Sequence, residues 1–172
     1  PISIAESIEP SIVCGYSMGG RHALDLAIRR PEVVAGLVLI SASPGIEDAD
    51  ERVRRRLRDD ELADRIERIP LARFLDEWLA QDLFATLPVE ARDLSDRLRN
   101  SPAGLASSLR RAGTGTQESH WSRLHEVRCP VLVVAGALDA KFAEIADDMA
   151  RLMGAELAIV PGRGHSVHLE DP

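Results

Sequence analysis

The chain has little of what marks a disulfide-built, membrane-spanning or nucleic-acid-binding protein. Only two cysteines occur in 172 residues, Cys14 and Cys129, too few for a disulfide framework. Each stands in an apolar, strand-like segment, so two buried free thiols are expected rather than a bridge. No run of about eighteen apolar residues is present, so no membrane span is expected. No secretory signal is expected either, and the default address is the reducing cytoplasm. Basic residues are fewer than acidic ones, 21 against 28, for a net charge of −7. That balance argues against a nucleic-acid partner. Lysine is almost missing: Lys141 is the only one, so nearly all positive charge is arginine. Arginine holds planar anions in a fork, so local pockets for anionic ligands stay open within an acidic protein.

What is present suits one domain with a real core. Hydrophobic residues make up 45% and charged residues 28%, ordinary for a globular fold. Ile12 to Cys14 reads as a short buried strand, followed by a helix over about 18–30 that ends before Pro31. Ala23, Leu24, Ala27 and Ile28 share one face of that helix. "VVAGLVLISA" is a continuous β-rich run, typical of a strand covered on both faces. After Pro44 and Gly45 the texture changes to charge and helix formers. Val53, Leu57, Leu62, Ile66 and Ile69, then Leu71, Phe74, Leu75, Trp78 and Leu79, suggest amphipathic helices. "CPVLVVAGALD" returns to a buried strand, a helix follows over about 141–153, and "AELAIVPGRGH" reads as a last strand entering a loop. The pattern predicts an α/β fold: a parallel sheet with helices on both faces and a helical cap insertion. Core segments are expected at 1–45 and 121–172, with the cap at 46–120.

"CGYSMGGRHA" sets Ser17 in the pattern G-x-S-x-G, between a predicted strand and a predicted helix. That context is a nucleophile elbow, a tight turn exposing the serine at the strand end. Gly15 and Gly19 are read as the positions where a Cβ would clash. An activated serine needs a base, and the base an orienting acid. Asp139 and His165 follow the last two predicted strands, so all three fall at the C-terminal rim of the sheet. The chain order Ser, Asp, His is the order of α/β-hydrolases. The backbone N–H of Met18, the residue after the nucleophile, is the expected oxyanion donor. His165, His168 and Glu170 could instead form a metal site. The triad already accounts for His165 and no further metal motif appears, so no metal is expected. His22, His120 and His125 have no partner visible in the sequence and read as surface or cap residues.

The stretches "GYSMGGRHAL", "SASPGIEDADERVRRR", "FLDEWLAQDLFATL", "LRNSPAGLASSLR", "GALDAKF" and "GRGHSVHLEDP" resemble one α/β-hydrolase family in particular. It is the 2-succinyl-6-hydroxy-2,4-cyclohexadiene-1-carboxylate (SHCHC) synthase family, the menaquinone-pathway lyases. The resemblance implies a partial α/β-hydrolase fold and cofactor-free elimination of pyruvate from a small multi-carboxylate substrate. It also implies Ser17, Asp139 and His165 as the triad, and Arg21, Arg55, Arg99 and Trp78 as substrate-binding residues. Two other functions use the same residues: an esterase or carbon–carbon hydrolase working through an acyl-enzyme, and a non-catalytic binder of anions. The start at Pro1 and the stop at "HLEDP" read as cut ends. The loop that would give a second oxyanion donor is therefore expected to be missing, and little turnover is expected of these 172 residues alone.

Overall fold

The computed structural model describes residues 9–172; the first eight residues of the expected 1–45 segment lie outside the described residues. The chain divides into two compact units. One combines the residues up to Pro44 with His120–Val167, and the other combines Gly45–Ser119 with His168–Pro172.

The first unit is α/β. Strand β1 (Ser11–Tyr16) runs through the elbow into helix α1 (Met18–Arg29). The helix stops where Arg30, extended at φ −138°, meets Pro31, because a residue before proline is pushed out of the helical region. Strand β2 (Val34–Ile40) follows, and the chain re-enters the unit at His120. Strand β3 is Val131–Gly136 and β4 is Glu156–Val160. The four strands are parallel in the order β1-β2-β3-β4.

Register sorts the side chains onto two faces. Val13, Leu37 and Val131 lie side by side on one, as do Leu39 and Val133. This face carries the core, where Leu24, Ala27 and Ile28 of α1 pack on Leu37 and Leu39. Ala146, Met149 and Ala150 bury the next helix against the same face. The other face bears Ile12, Cys14, Val38 and Leu132, of which Ile12 is 75% exposed and Cys14 is also exposed. Two expectations are corrected here. Among the described residues the helices cover one face of the sheet, and β1 is its edge strand. Ile12 and Cys14 therefore meet solvent, and only Cys129 of the two thiols is partly buried.

The second unit is helical. Helices α2 (Ala49–Arg68), α3 (Leu71–Leu79), the single turn α4 (Leu94–Arg97) and α5 (Pro102–Ala112) lie in it. Helix α2 is capped by Asp48, whose carboxylate accepts the Glu51 N–H at 2.6 Å, and acidic residues fill its first turn, as the helix dipole favours. Ala63, Ile66, Phe74, Leu75 and Ala106 form the unit's main core. Val53 and Leu57 do not join it; both are more than half exposed. At 100° per residue they fall on the opposite side of α2 from Leu62 and Ile66. Arg55 and Asp59 share the packed side instead, joined by a 2.9 Å ion pair with Asp59 buried. Among the described residues no helix is long and apolar enough to cross a membrane.

Candidate active site

Each strand of the α/β unit ends at the same rim, and three of those ends carry polar side chains that meet. Ser17 follows β1 directly, with φ 49° and ψ −110°. Such a conformation costs a non-glycine residue about 1–3 kcal/mol and persists only when its surroundings enforce it. Here the Ser17 N–H donates to the Ile40 carbonyl at 2.8 Å and the Arg21 N–H donates to the Ser17 carbonyl at 3.1 Å. The glycines around the turn divide the work differently from the expectation. A Cβ on Gly15 would lie 2.5 Å from the Gly19 carbonyl oxygen, and one on Gly20 2.5 Å from the Ala42 side chain. A Cβ on Gly19 would meet nothing within 4 Å. The close approach is thus between Gly15 and the Gly19–Gly20 backbone, and Gly20 rather than Gly19 is the second indispensable glycine.

Asp139 ends the turn after β3 and caps helix α6 (Ala140–Met153). Its Oδ1 accepts the Phe142 N–H at 3.4 Å, which leaves Oδ2 to accept from His165 Nδ1 at 2.6 Å. The acceptor-only carboxylate puts the proton of a neutral His165 on Nδ1. Nε2 then faces the Ser17 hydroxyl at 3.1 Å as an acceptor. His165 is 2% exposed. Tyr16 flanks its ring at a centroid distance of 5.4 Å and Phe142 at 4.6 Å, edge on. The residue after the histidine is tied as well, because Tyr16 Oη and Ser166 Oγ share a hydrogen bond of 3.0 Å.

The loop carrying His165 reaches Asp139 because β3 ends in glycine. A Cβ on Gly136 would sit 2.2 Å from the Gly164 oxygen and 2.3 Å from the Arg163 oxygen. The two loops are laced together across it: Leu138 N–H donates to the Arg163 carbonyl at 2.9 Å and Ala137 N–H to the Val160 carbonyl at 3.0 Å. A glycine at a strand end beside a loop is the kind of signal that marks close backbone approach.

The remaining residues singled out in the sequence are distributed over both units. Met18 is the first residue of α1, whose opening N–H groups have no partner further back in the helix. Arg21 lies one helical turn past Ser17 and is buried, at 7% exposure. Arg55, Trp78 and Arg99 stand in the helical unit. Arg55 gives its Nε–H to Asp59 at 2.9 Å. Trp78 stacks on Phe74 at 5.8 Å and tilts against Phe84 at 6.1 Å. Arg99 is exposed and paired with Asp96 at 2.9 Å.

Two features of the α/β unit had no signal in the sequence. His120 is fully buried, and its Nε2 lies 2.8 Å from Asp25 Oδ1 on α1, 95 residues away. Burial of Asp25 pushes its carboxyl upward, but the Arg29 guanidinium and His120 together hold it below the usual carboxylate range. Ser41, next to Ile40, has φ 46° and is 1% exposed, and its hydroxyl has no partner among the described residues.

The profile of the alpha/beta hydrolase family matches residues 3–172. A putative 2-succinyl-6-hydroxy-2,4-cyclohexadiene-1-carboxylate synthase of Bacillus subtilis is 43% identical over 164 residues, covering 92% of this chain and 60% of that protein. The synthase of that name from Serratia proteamaculans is 36% identical over 168 residues, covering 96% and 64%. Among solved structures, MenH from S. aureus superposes with a TM-score of 0.88 at 38% identity, over 92% of this chain and 62% of that one. A thermophilic esterase from Thermogutta terrifontis shares the fold, with a TM-score of 0.78 at 23% identity. The chain thus spans roughly three fifths of the length of the curated relatives it matches. A parallel sheet, a serine at a strained strand-to-helix turn, and a family match over nearly every residue lead to one assignment: the chain belongs to the alpha/beta hydrolase family.

Proposed function

We propose that these residues belong to a cytoplasmic lyase of menaquinone biosynthesis. It eliminates pyruvate from 2-succinyl-5-enolpyruvyl-6-hydroxy-3-cyclohexene-1-carboxylate to give SHCHC. The observation that carries this reading is the hydrogen-bond chain from Ser17 through His165 to Asp139, at 3.1 and 2.6 Å, in a sequence 43% identical to a putative SHCHC synthase.

Such an elimination needs a base and a way to spread negative charge. Ser17 gives its proton to His165 Nε2, and the oxygen so exposed takes the ring proton. The C–H electron pair at C2 forms the C2–C3 double bond, the existing C3–C4 pair moves to C4–C5, and the C5–O bond to the enolpyruvyl group breaks. The departing enolate takes the proton held by the His165 imidazolium, and the enol so formed tautomerises to pyruvate, which returns Ser17 and His165 to their starting states. Asp139 holds the imidazole in the tautomer that can accept the serine proton and steadies the imidazolium that results. General base work of this kind contributes about 10²–10⁴-fold, and the Met18 N–H at the start of α1 is placed in this scheme as a donor to the developing anion. No cofactor enters the scheme.

Substrate recognition falls to arginine. A guanidinium binds a carboxylate through two parallel hydrogen bonds, and a buried one such as Arg21 does so in a medium that screens less than water. The resemblance to SHCHC synthases adds Arg55 and Arg99 as candidates for further carboxylates and Trp78 as the candidate for the ring. The test is pyruvate release followed with lactate dehydrogenase, on the product of the complete reading frame. Arg21→Ala should raise KM for the carboxylate substrate by about 10–100-fold, the worth of a charge-assisted hydrogen bond, and leave neutral esters unaffected. Hydrolysis of simple esters through a stable Ser17 adduct, with no pyruvate formed, would replace the lyase by an esterase.

A further inference from the structure

Two arginines of the helical unit face one cavity, and among the described residues neither forms an ion pair. The cavity holds about 340 Å³ and is lined by Arg52 and Arg56 of α2 and by the loop 115–119. Their neighbours on the helix, Arg54 and Arg55, pair with Asp48 and Asp59. Arg52 instead donates from Nη1 to the Ile46 carbonyl at 2.8 Å and the Glu47 carbonyl at 2.7 Å. Arg56 donates from Nη2 to the Gly115 carbonyl at 3.3 Å. Neutral carbonyls fix the direction of a guanidinium and leave its charge uncompensated.

The opposite wall is held just as firmly. A Cβ on Gly115 would lie 2.5 Å from the Arg56 nitrogen and 2.7 Å from the Arg52 oxygen, so the loop rests directly on the helix backbone. Thr116 Oγ1 donates to the Arg110 carbonyl at 3.2 Å. Ser119, also lining the cavity, has its hydroxyl oxygen shielded from solvent with no hydrogen-bond partner among the described residues. Glu118 contributes one carboxylate to the lining, and it and Arg56 are both exposed, so water screens both charges.

We propose that this cavity is a binding site for a compact oxyanion, a phosphate or carboxylate group on a small molecule. Arg52 and Arg56 take its oxygens through their remaining N–H groups, and the Ser119 hydroxyl donates a third hydrogen bond. The site uses neither Ser17, Arg21, Arg55 nor Arg99, so it stands or falls independently of the lyase reading.

The experiment is a titration of the full chain with inorganic phosphate, and separately with succinate, against sodium chloride at matched ionic strength. Amide shifts of residues 115–119 are followed by NMR. Saturable shifts with phosphate or succinate but not chloride are expected, and the tighter of the two guests identifies which group the cavity prefers. Arg56→Gln and Arg52→Gln should each weaken binding about tenfold or more, the loss of one charge-assisted contact. If Arg52→Gln unfolds the helical unit, Arg56→Gln decides, with its helix content checked by circular dichroism. Shifts reproduced by chloride, no saturation by about 50 mM (near the ceiling for a weak specific ligand), or unchanged affinity in the folded variants would overturn the site.

Discussion

Replacing Gly136 by alanine tests how the α/β unit brings an aspartate and a histidine together. The added Cβ would lie 2.2, 2.3 and 2.5 Å from the Gly164 oxygen, the Arg163 oxygen and the Arg163 carbonyl carbon. All three are backbone atoms, so no side chain can swing away. Restoring ordinary contact near 3.4 Å moves the loop by about 1 Å. Two backbone hydrogen bonds cross this point, at 2.9 and 3.0 Å, and the shift strains or breaks both. At about 1 kcal/mol each, plus overpacking strain of about 1–3 kcal/mol, the expected destabilisation is roughly 3–5 kcal/mol. The same shift acts on His165, which now sits 2.6 Å from Asp139 and 3.1 Å from Ser17. A displacement of about 1 Å lengthens one or both contacts and is expected to lower kcat about 100-fold. Urea unfolding gives the first quantity and pyruvate release the second. A Gly136→Ala protein with wild-type midpoint and wild-type kcat would show that the loops do not depend on this close approach.

Three further changes separate the roles of neighbouring residues. Asp139→Asn keeps a cap for α6 but can present its amide to His165 and favour the wrong tautomer, so kcat should fall by about 10⁴ with little change in the unfolding midpoint. Ser41→Gly removes a buried hydroxyl with no partner among the described residues and a left-handed conformation costly for any side chain, so a gain of about 1 kcal/mol is expected in urea unfolding. A carboxyl depressed on folding adds stability above its unfolded value, near pH 4, and loses it as pH falls through the folded value. Asp25 is such a group, and Asp25→Asn should flatten the acid limb of stability when urea midpoints are compared between about pH 3 and 7.

The sequence was most legible where local chemistry dictates local structure. Ser17 between glycines, Pro31 after a helical stripe and the β-rich runs at Val34–Ile40 and Val131–Gly136 each signal their own conformation. The meeting of Asp139 and His165 was legible through chain order, because parallel strands deliver successive loops to one rim. Relations set by register were not legible. Ile12 and Cys14 read as buried because a short apolar run does not tell whether its face of the sheet is covered; among the described residues that face at β1 is open. Val53 and Leu57 are apolar but lie off the packed stripe of α2, where Arg55 and Asp59 take the inner positions as an ion pair. His120 and Asp25 meet across 95 residues, a pairing that no local pattern encodes. Gly19 fits the motif, yet Gly20 meets the steric limit, since the crowding comes from Ala42 on another strand's exit.

In the proposed mechanism Ser17, activated by His165, drives pyruvate elimination. Its direct test is the rate of pyruvate release from the enolpyruvyl substrate by the product of the complete reading frame, compared with its Ser17→Ala variant. Pyruvate and SHCHC are expected in equal amounts from the first. Loss of Ser17 should lower the rate by about 10³-fold or more, the scale for removing a triad member, with the fold unchanged. Pyruvate release that survives Ser17→Ala, or an active-site serine that cleaves esters and yields no pyruvate, would contradict it.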